Sequence, residues 1–521
     1  MNIIVTHFKN TVNGILNGFD RIVFKGYLRS FMDASKVNQF CQGRGILNKD
    51  YKPWMLEQTK QIISDATHYA QDNCNHGILP ISSAAIRKEQ MVRDIQEQQG
   101  ITRGLIGVFS AMESCSSFKA KFCAQAGYPR LHKVWTKCKH LYFYYDHPQY
   151  GFMNIRLQTW FPYHVQICLN GREWLRRQLE DADVDFVSRR NKFFHIDDYA
   201  LAQQLLDRQL DTRWDEMLTG FTQDVFPART SIIGSYPSYY WSLWQSEWAT
   251  DIIFDSPKSI APLMDSLLRH AFMTGTSGRI LRYMDRPLKK DGTPRTDNPD
   301  EVLSNLYEYG DGVRVRHWVN GNSVKCYNEL NNLRLETTMN QPAMFRVYRH
   351  AQEQCRNEPK RLLPLRKGVA DIVLRTQVSQ DINNRFMDNL MTAKCDTPVR
   401  EMLDKVVKPI RRNGRRIRGL DPTGKDLALL QAISDPAFCI EGLDNRALRE
   451  KLTGKPGYDK RTTKQLSAKI SRQLRLLRDH GLLRKLPRQK KYILTPKGQK
   501  LTTALNAMLA ASIQQLMDIA A

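Results

Sequence analysis

The positive charge of this chain is concentrated towards its C-terminal end. Residues 411–500 contain 24 Lys and Arg against 8 Asp and Glu, whereas the formal net charge of all 521 residues is only +25. A surplus of this size over a short stretch attracts phosphate groups, because the Coulomb attraction of neighbouring side chains adds up. The charge distribution therefore predicts that this part of the chain binds nucleic acid.

The spacing of apolar residues in the same stretch predicts a small helical unit. Lys425–Ser434 has the period of a helix, and Asp444 is a predicted N-cap for a second helix at Asn445–Leu452. A longer third helix is predicted at Thr463–His480, which Gly481 ends. The sequences LLRKL and YILT then predict two short strands around the basic turn PRQKK.

This order of elements predicts a winged helix-turn-helix. The segment GLLRKLPRQKKYILTPKGQKL resembles the recognition-helix exit, wing and exit helix of the MarR and PadR repressor families. The resemblance implies that Thr463–His480 enters a major groove and that the wing approaches the DNA backbone or minor groove. The side chains expected to contact DNA are Lys464, Lys469, Arg472, Arg475, Arg488, Lys490 and Lys491. A winged helix that binds protein or RNA is the alternative.

Two further segments flank this unit. KPIRRNGRRIRGLDP precedes it, and its cluster of like charges predicts a linker that contacts phosphate, the alternative being a solvated linker. The arginines concerned are Arg411, Arg412, Arg415, Arg416 and Arg418. The tail helix predicted at Thr502–Ile519 has an apolar face, which packs either within the chain or against a second copy in a homodimer.

The length of the chain leaves room for about three domains, more than a winged-helix regulator needs. We distinguish an N-terminal α/β region (1–130), a central aromatic-rich region with an antiparallel sheet that is the candidate catalytic part (131–345), a helical segment with the arginine linker (346–420), and the winged helix with its tail helix (421–521). The expected fold class is therefore a multi-domain α+β protein with a mixed or antiparallel central sheet.

Several classes of protein are not expected. No run of about 18 apolar residues predicts a membrane span, and the N-terminal sequence has no signal-peptide pattern. The ten scattered cysteines include no CxxC pair, which predicts reduced thiols in the cytoplasm. Cys138, His140, His132 and His147 do not have the spacing of a structural zinc site. Without a Walker loop or a haem-binding pattern, we expect no NTP, zinc or haem, and no membrane partner.

Periodicity also predicts the elements of the first three regions. Helices are predicted at Pro53–Asn73, Ser82–Gln99, Arg172–Leu179, Ala200–Leu210 and Asp300–Tyr309. A core strand is predicted at Leu105–Met112, and three further strands surround a hairpin turn at Pro148–Gly151. An antiparallel meander is predicted for Val313–Val319, Ser323–Tyr327 and Leu333–Thr338.

The meander carries the residues to which we assign chemistry. Its sequence, GVRVRHWVNGNSVKCYNELNNLRLETT, resembles the KxYDK…LRxE segment of rolling-circle replication initiators of filamentous phages and plasmids. In those proteins a carboxylate holds a divalent metal, and a tyrosine attacks a phosphodiester and becomes joined to the 5′ end. The resemblance places Glu336 as the metal ligand, with Lys325 and Arg334 facing phosphate. The chain departs from that pattern at Asn328 and Glu329, where the family has Asp and a basic residue.

The resemblance leaves the nucleophile open between three tyrosines. Tyr327 lies within the motif, whereas Tyr239 and Tyr240 begin the stretch YYWSLWQSEWATDIIF. Glu247 and Asp251 in that stretch are four residues apart, so on a helix they share a face and are candidates for binding a metal. The alternative is a packed aromatic core in which the two carboxylates pair with arginines.

Asp20 and Arg21, in the phrase NGFDRIVFKGYLRS, also have two interpretations. Catalysis is one, but an Asp–Arg pair at the entrance to a strand is more often structural, and we favour that interpretation.

In the order of its segments, the whole chain is similar to a poorly characterised bacterial family. The phrases that carry this resemblance are GFDRIVFKG, QTWFPYHVQICLNGREWL, YYWSLWQSEWATD and LRLETT. Its members are labelled by their MarR-like end, so the family supplies no mechanism. We hypothesise a DNA-binding protein of a bacterium or a mobile element that nicks DNA with Mg²⁺ or Mn²⁺, in the manner of a replication initiator or transposase. A non-enzymatic regulator with a large sensing or assembly region and a structured-RNA binder are the alternatives.

Overall fold

The fold was analysed in a computed structural model. It describes residues 8–510 apart from 9, 75, 82–87, 126, 236–237, 262–263, 265–266, 268–276, 287–301, 310–311, 352–358, 392–398, 413, 436–437, 439–441, 460–461 and 487–489. Arg488 of the predicted wing and residues 511–521 of the predicted tail helix therefore lie outside the described residues.

The strands are β1 (Val12–Leu28), β2 (Leu79–Pro80), β3 (Gly104–Cys123), β4 (Tyr128–His147), β5 (Gly151–Gln158), β6 (Val165–Asn170), β7 (Phe186–Arg189), β8 (Lys192–Ile196), β9 (Tyr239–Phe254), β10 (Val302–Tyr309), β11 (Gly312–Val319), β12 (Asn322–Glu329), β13 (Asn332–Met339), β14 (Arg346–Arg349), β15 (Arg361–Pro364), β16 (Ile410–Arg412), β17 (Arg415–Ile417), β18 (Leu483–Lys485) and β19 (Tyr492–Leu494). Eleven of them form one sheet in the order β10-β11-β12-β13-β9-β1-β6-β5-β4-β3-β2. Only the short β2 is parallel to its neighbour.

The helices are α1 (Ala34–Gly43), α2 (Tyr51–Asn73), α3 (Lys88–Gln98), α4 (Gly171–Asp181), α5 (Tyr199–Gln209), α6 (Trp214–Val225), α7 (Arg229–Ile233), α8 (Ser277–Tyr283), α9 (Ile372–Met391), α10 (Val399–Val407), α11 (Leu427–Ile433), α12 (Asn445–Leu452), α13 (Thr463–Asp479) and α14 (Pro496–Ala510). The molecule is thus a mixed α+β protein, and its large sheet joins strands from both sides of residue 130.

The central strands are buried because helices cover both of their faces. On one face, α9 contacts β9 and β13, and Asn383 of α9 is bonded to Thr337. On the other face, α4 and α5 contact β1. Gly18 of β1 makes room for this packing, since a Cβ atom there would lie 2.8 Å from Leu206 of α5 and 3.3 Å from the Arg172 guanidinium of α4. The sheet segment that carries the site therefore lies between two helical layers.

Most of the predicted elements are present, and two differ. The predicted helix Asp300–Tyr309 is replaced by a strand where it is described: Val302–Tyr309 pairs along its whole length with β11 as an edge strand, and residues 300–301 lie outside the described residues. The arginine-rich linker contains strands that were not predicted: β16 and β17 form a hairpin, in which Gly414 has a φ of +73°. In both places strand pairing decides the conformation, and neither pairing is visible in a local pattern of residues.

The cysteines also differ from the expectation of free thiols throughout. Cys115 of β3 and Cys138 of β4 are joined by a disulfide. Cys138 is therefore occupied, and the histidine beside it, His140, is buried with Nδ1 3.1 Å from the backbone oxygen of Cys138. Among the described residues, no helix is long and apolar enough to cross a membrane.

The C-terminal elements α11–α14, β18 and β19 share one hydrophobic core, to which Val406 of α10 and Leu420 also belong. Asp444 caps α12 by accepting a hydrogen bond from the Ala447 amide at 2.8 Å, as predicted. Thr462 and Gln465 form a capping box at the start of α13. Gly481, which follows α13, has a φ of +73°, where a side chain would be strained. The three helices, the hairpin and the following helix therefore occur in the predicted order.

Candidate metal centre

A β-bulge in β1 positions the first acidic residue of the site. Asp20 and Arg21 of β1 together oppose the single residue Glu247 of β9, and regular pairing resumes at Ile22. A bulge of this kind sends two consecutive side chains towards the same side of a sheet, and bulges are common next to active sites. Asp20 and Arg21 accordingly both line the same cavity.

Three carboxylates from three neighbouring strands meet beside this bulge. One oxygen from each of Asp20, Glu247 and Glu336 lies within 4.8 Å of the other two. The register explains the meeting: Glu336 of β13 pairs with Ala249 of β9, and Ala249 and Glu247 share a face because the strand period is two. Oxygen clusters of this kind suit hard divalent cations such as Mg²⁺ and Mn²⁺.

A fourth oxygen is available on the same face. Thr338 lies directly opposite Glu247 on β13 and two residues from Glu336. Its hydroxyl is buried and has no hydrogen-bond partner within the described part of the chain. A buried polar atom without a partner costs free energy, and a cation bound between the carboxylates would give this oxygen one.

Two arginine side chains, Arg334 and Arg172, neutralise acidic residues of the site. Arg334 binds Asp251 through Nε at 2.5 Å and Nη2 at 2.9 Å, and its Nη1 lies 3.1 Å from Asp20. Arg172 also lies 2.9 Å from Asp251. Burial alone would raise the pKa of Asp251, but Arg334 and Arg172 outweigh it and lower the pKa. Asp251 is thus paired with arginines, as the alternative interpretation held, and it is not one of the converging carboxylates.

Glu336 is held in its ionised form by two neighbours. Lys325 Nζ lies 2.5 Å from one carboxylate oxygen, and the Tyr327 hydroxyl donates to the other at 2.9 Å. Burial raises the pKa of Glu336, but Lys325 and Arg334 oppose it, and the net effect is a lowered pKa.

The other two carboxyl groups favour protonation. Burial, followed by the negative charge of Glu336, raises the pKa of Glu247 to about 7. Burial also raises the pKa of Asp20, although Arg334 opposes it. Glu247 therefore takes up a proton near neutral pH unless another cation replaces it, which is the behaviour of a carboxylate arranged as a metal ligand.

The turn between β7 and β8 completes the surroundings of Asp20. Asn191 in this turn donates to both oxygens of Asp20, at 2.6 and 2.7 Å, and its backbone oxygen accepts from Arg334 at 2.6 Å. The next residue, Lys192, pairs with Glu329, which also accepts from Arg189. Glu329, one of the departures from the initiator pattern, is therefore part of a buried ion pair.

A cavity of about 820 Å³ opens onto Asp20 and Glu247. Its volume is within the range that holds small ligands or part of a polymer. The charged residues that line it are Arg21, Arg93, Arg176, Arg190, Glu89, Asp146 and Glu173. They come from β1, α3, α4, β4 and the β7–β8 turn, so Asp20 and Glu247 lie at one wall of a polar pocket with several guanidinium groups.

The structure separates two predicted nucleophiles from this site. Tyr239 and Tyr240 pair with Leu28 and Tyr27 at the opposite end of β1, about 23 Å along the strand from Glu247 at about 3.3 Å per residue. Tyr239 is buried and donates to the Tyr163 backbone oxygen at 2.8 Å. Tyr239 and Tyr240, the candidate nucleophiles beside Glu247 and Asp251 in the sequence, are therefore distant from the three converging carboxylates.

Glu247 and Asp251 also differ from expectation in one respect. They lie on the strand β9 and not on a helix. They still share a face, since an even spacing does so in a strand as well, but only Glu247 joins Asp20 and Glu336.

Sequence reasoning missed Asn191 and Arg172 and gave Asp20 a structural role. The sequence did mark Asp20, because the charged pair Asp20 and Arg21 interrupts the otherwise apolar strand GFDRIVF. Nothing in the sequence marked Asn191 or Arg172, because they occupy ordinary positions in a turn and a helix.

Several of the cations assigned to nucleic acid have partners within the C-terminal part, among them Arg412 and Arg475, which lie 3.5 and 3.9 Å from Asp479. Arg418 binds Asp426 at 2.7 and 2.8 Å, and Lys469 donates to the Gly457 backbone oxygen at 2.7 Å. Most of these cations are exposed: Arg411, Arg412, Arg415, Arg416, Lys464, Arg472, Arg475 and Lys490, with Lys491 partly so. The exposed side chains lie on β16 and β17, on α13, and in the turn between β18 and β19.

Comparisons of this chain with family models, with curated proteins and with solved structures found no match.

Proposed function

We propose that this chain is a divalent-metal-dependent enzyme that cleaves phosphodiester bonds in nucleic acid. The observation that carries the proposal is the meeting of Asp20, Glu247 and Glu336, the first two at the wall of a polar cavity lined by both arginines and acidic residues. Phosphodiester cleavage needs positive charge on the phosphate oxygens and an activated oxygen nucleophile, and a bound Mg²⁺ or Mn²⁺ supplies both.

The protein side chains have separate roles in this proposal. Asp20, Glu247 and Glu336 hold the cation, and the Thr338 hydroxyl adds a neutral ligand. Lys325 and Asn191 position the carboxylates by direct hydrogen bonds. Arg21, Arg93, Arg176 and Arg190 face the cavity and attract the phosphate backbone.

Water is the nucleophile that the arrangement favours. Tyr327 is only 3% exposed, and its hydroxyl is already engaged with Glu336. A polymer in the cavity would contact Asp20 and Glu247 before it reached this hydroxyl. We therefore favour hydrolysis over a covalent tyrosine intermediate, which remains an outcome of the test below.

The C-terminal part supplies the substrate in this proposal, as a winged helix-turn-helix that binds DNA. Support comes from the order of α11, α12, α13, the β18–β19 hairpin and α14 around one core, and from exposed Lys464, Arg472 and Arg475 on α13. In that arrangement α13 enters a major groove, and Lys490 on the hairpin reaches the backbone.

A non-enzymatic DNA-binding regulator is the second candidate. The ion pairs of Glu336 with Lys325 and of Asp20 with Arg334 favour it, because the carboxylates have protein partners even without a metal. In this case the network would only connect the strands of the sheet.

The deciding experiment uses the full chain and end-labelled DNA and RNA, single- and double-stranded, with Mg²⁺, Mn²⁺ or EDTA. We expect metal-dependent cleavage that Asp20→Asn and Glu247→Gln each reduce at least a hundredfold. Glu216→Gln, on an exposed stretch of α6, is the matched control and should cleave normally. Label that stays on the protein in a denaturing gel, and disappears with Tyr327→Phe, would instead establish the covalent route. Binding to duplex without cleavage by any ion would favour the regulator.

A further inference from the structure

The β3–β4 hairpin extends beyond the rest of the sheet as a two-stranded arm. The two strands pair from Gly104–Asp146 to Cys123–Tyr128. β5 covers β4 only from His140 to His147, and β2 contacts β3 only at Phe109 and Ser110. Within the described chain, the outer part of the arm has no strand partner on either edge, although α1 and α2 contact it.

The arm has a concentrated positive charge and no acidic side chain of its own to balance it. Ser114–Lys139 contains six Lys and Arg and no Asp or Glu. Lys121 lies directly opposite Arg130. Like charges at directly paired positions destabilise a hairpin. The six cations, Lys119, Lys121, Arg130, Lys133, Lys137 and Lys139, form no ion pair with any residue that the structure describes. A polyanion would relieve this repulsion.

Aromatic side chains are exposed among these charges. Trp135 is 75% exposed and Phe122 71%, although large aromatic side chains are mostly buried in folded proteins. Trp135 faces the small side chain of Ser116 across the hairpin, so its ring is not covered. Lys133 and Lys137 lie two residues to either side of it on the same face. Lysines on an edge strand can simply prevent aggregation, but exposed Trp and Phe side chains would defeat that purpose.

We propose that this arm, centred on Trp135, binds single-stranded nucleic acid. Stacking on an aromatic ring requires a base that is free of its neighbours, which a single strand offers and a duplex does not. Lysines on either side of the ring can contact the flanking phosphates. An acidic protein would satisfy the charge but gives no reason for an uncovered indole ring between lysines. An anionic membrane also suits Trp beside Lys, and the vesicle measurement below separates it from a nucleic-acid strand. The arm is separate from the carboxylate cluster, so this inference goes beyond the proposed function and does not depend on it.

The test measures binding of the full chain to a labelled thymidine oligonucleotide of about 15 residues, by fluorescence anisotropy in EDTA. EDTA removes any metal-dependent cleavage, so failure of the metal centre leaves the result unchanged. We expect Trp135→Leu to weaken binding about tenfold and Trp135→Phe to weaken it less. Lys137→Gln should lower the slope of log affinity against log salt by about 0.7. Tyr348→Leu, an exposed aromatic residue elsewhere, and Lys60→Gln are the controls and should have no effect.

The form of the ligand separates the remaining possibilities. An abasic strand of the same length should bind the unchanged chain and Trp135→Leu equally, because it has phosphates but no bases. A matching uridine strand shows whether the arm prefers RNA or DNA. Equal affinity of Trp135→Leu and the unchanged chain for the thymidine strand would overturn the proposal. If Trp135→Leu lost as much affinity for anionic phospholipid vesicles or for the abasic strand as for the thymidine strand, the arm would instead be a nonspecific charged surface.

Photocross-linking keeps the proposal testable without any substitution. An iodouracil-containing strand irradiated with the unchanged chain should attach to Trp135, which mass spectrometry of the digested adduct can identify. Attachment confined to residues 411–500 would show that the arm is not the binding surface.

Discussion

Lys325 and Glu336 occupy directly paired positions on β12 and β13, with the lysine Nζ 2.5 Å from a carboxylate oxygen. This pair sets the charge of the whole centre. Because Lys325 keeps Glu336 ionised, the negative charge of Glu336 discourages ionisation of Glu247. Glu336 therefore holds a stable negative charge, and Glu247 beside it is the group that exchanges a proton for a cation.

Metal affinity should depend on pH through Glu247. The pKa of this group is raised to about 7, so below that pH a cation must displace a proton to bind. We expect Mn²⁺ affinity to increase between about pH 6 and pH 8, with proton release that falls as the pH rises. Titration calorimetry in buffers of different ionisation enthalpy measures both quantities. Glu247→Gln should abolish the proton release, and a flat pH profile in the unchanged chain would exclude this role for Glu247.

The metal-free protein should lose stability as the pH rises. The pKa of Glu247 is raised from 4.5 to about 7 in the folded chain, so between these values the folded state binds more protons than the unfolded state. By linkage, the free energy of unfolding then falls as the pH increases from about 4.5 to 7. Asp20, whose pKa is also raised, acts in the same direction.

Denaturant unfolding with and without Mn²⁺ measures this effect. The stabilisation by Mn²⁺ should be larger at about pH 8 than at about pH 5.5, because at high pH the ion relieves carboxylate repulsion that protons relieve at low pH. Glu247→Gln should flatten the pH dependence of the metal-free chain. Equal stabilisation by Mn²⁺ at both pH values would count against the shared proton and cation site.

Removing Lys325 should leave Glu336 as an uncompensated buried charge. We expect Lys325→Met to lower the free energy of unfolding by about 3–5 kcal/mol. A second change, Glu336→Gln, should restore part of that loss, because it removes the isolated charge. Lys405→Met breaks an exposed pair with Glu401 on α10 and should cost less than about 1 kcal/mol. A double variant no more stable than Lys325→Met would indicate that packing, and not charge, explains the loss.

Local patterns of the sequence predict much of the fold. The meander β11–β13 and the helices around Asp444 and Thr463 follow from alternation, turn residues and caps, which act over a few neighbours. The edge strand β10 does not follow, since VLSNLYEY has no clear strand alternation and its conformation depends on pairing with β11.

The candidate site shows the same division between local and long-range information. Glu336, Lys325 and Tyr327 lie close together in the sequence, on the neighbouring strands β12 and β13. A single sequence motif was therefore enough to group them. Asp20 and Glu247 join them only because β1 lies next to β9 and has a bulge at that point. Their separation of more than 200 residues means that only the sheet order shows which of several carboxylates converge.

Thr338 allows the metal centre to be tested without disturbing the ion pairs. Its buried hydroxyl has no hydrogen-bond partner among the described residues, so Thr338→Val should leave stability unchanged or raise it by about 1 kcal/mol. If the oxygen is a ligand, Mn²⁺ affinity should fall about tenfold. Thr337→Val is the matched control on the opposite face, where the hydroxyl bonds Asn383 at 2.7 Å. It should cost about 1–2 kcal/mol of stability and leave Mn²⁺ affinity unchanged. If Thr338→Val binds Mn²⁺ as tightly as the unchanged chain does, the cation is held by the carboxylates alone.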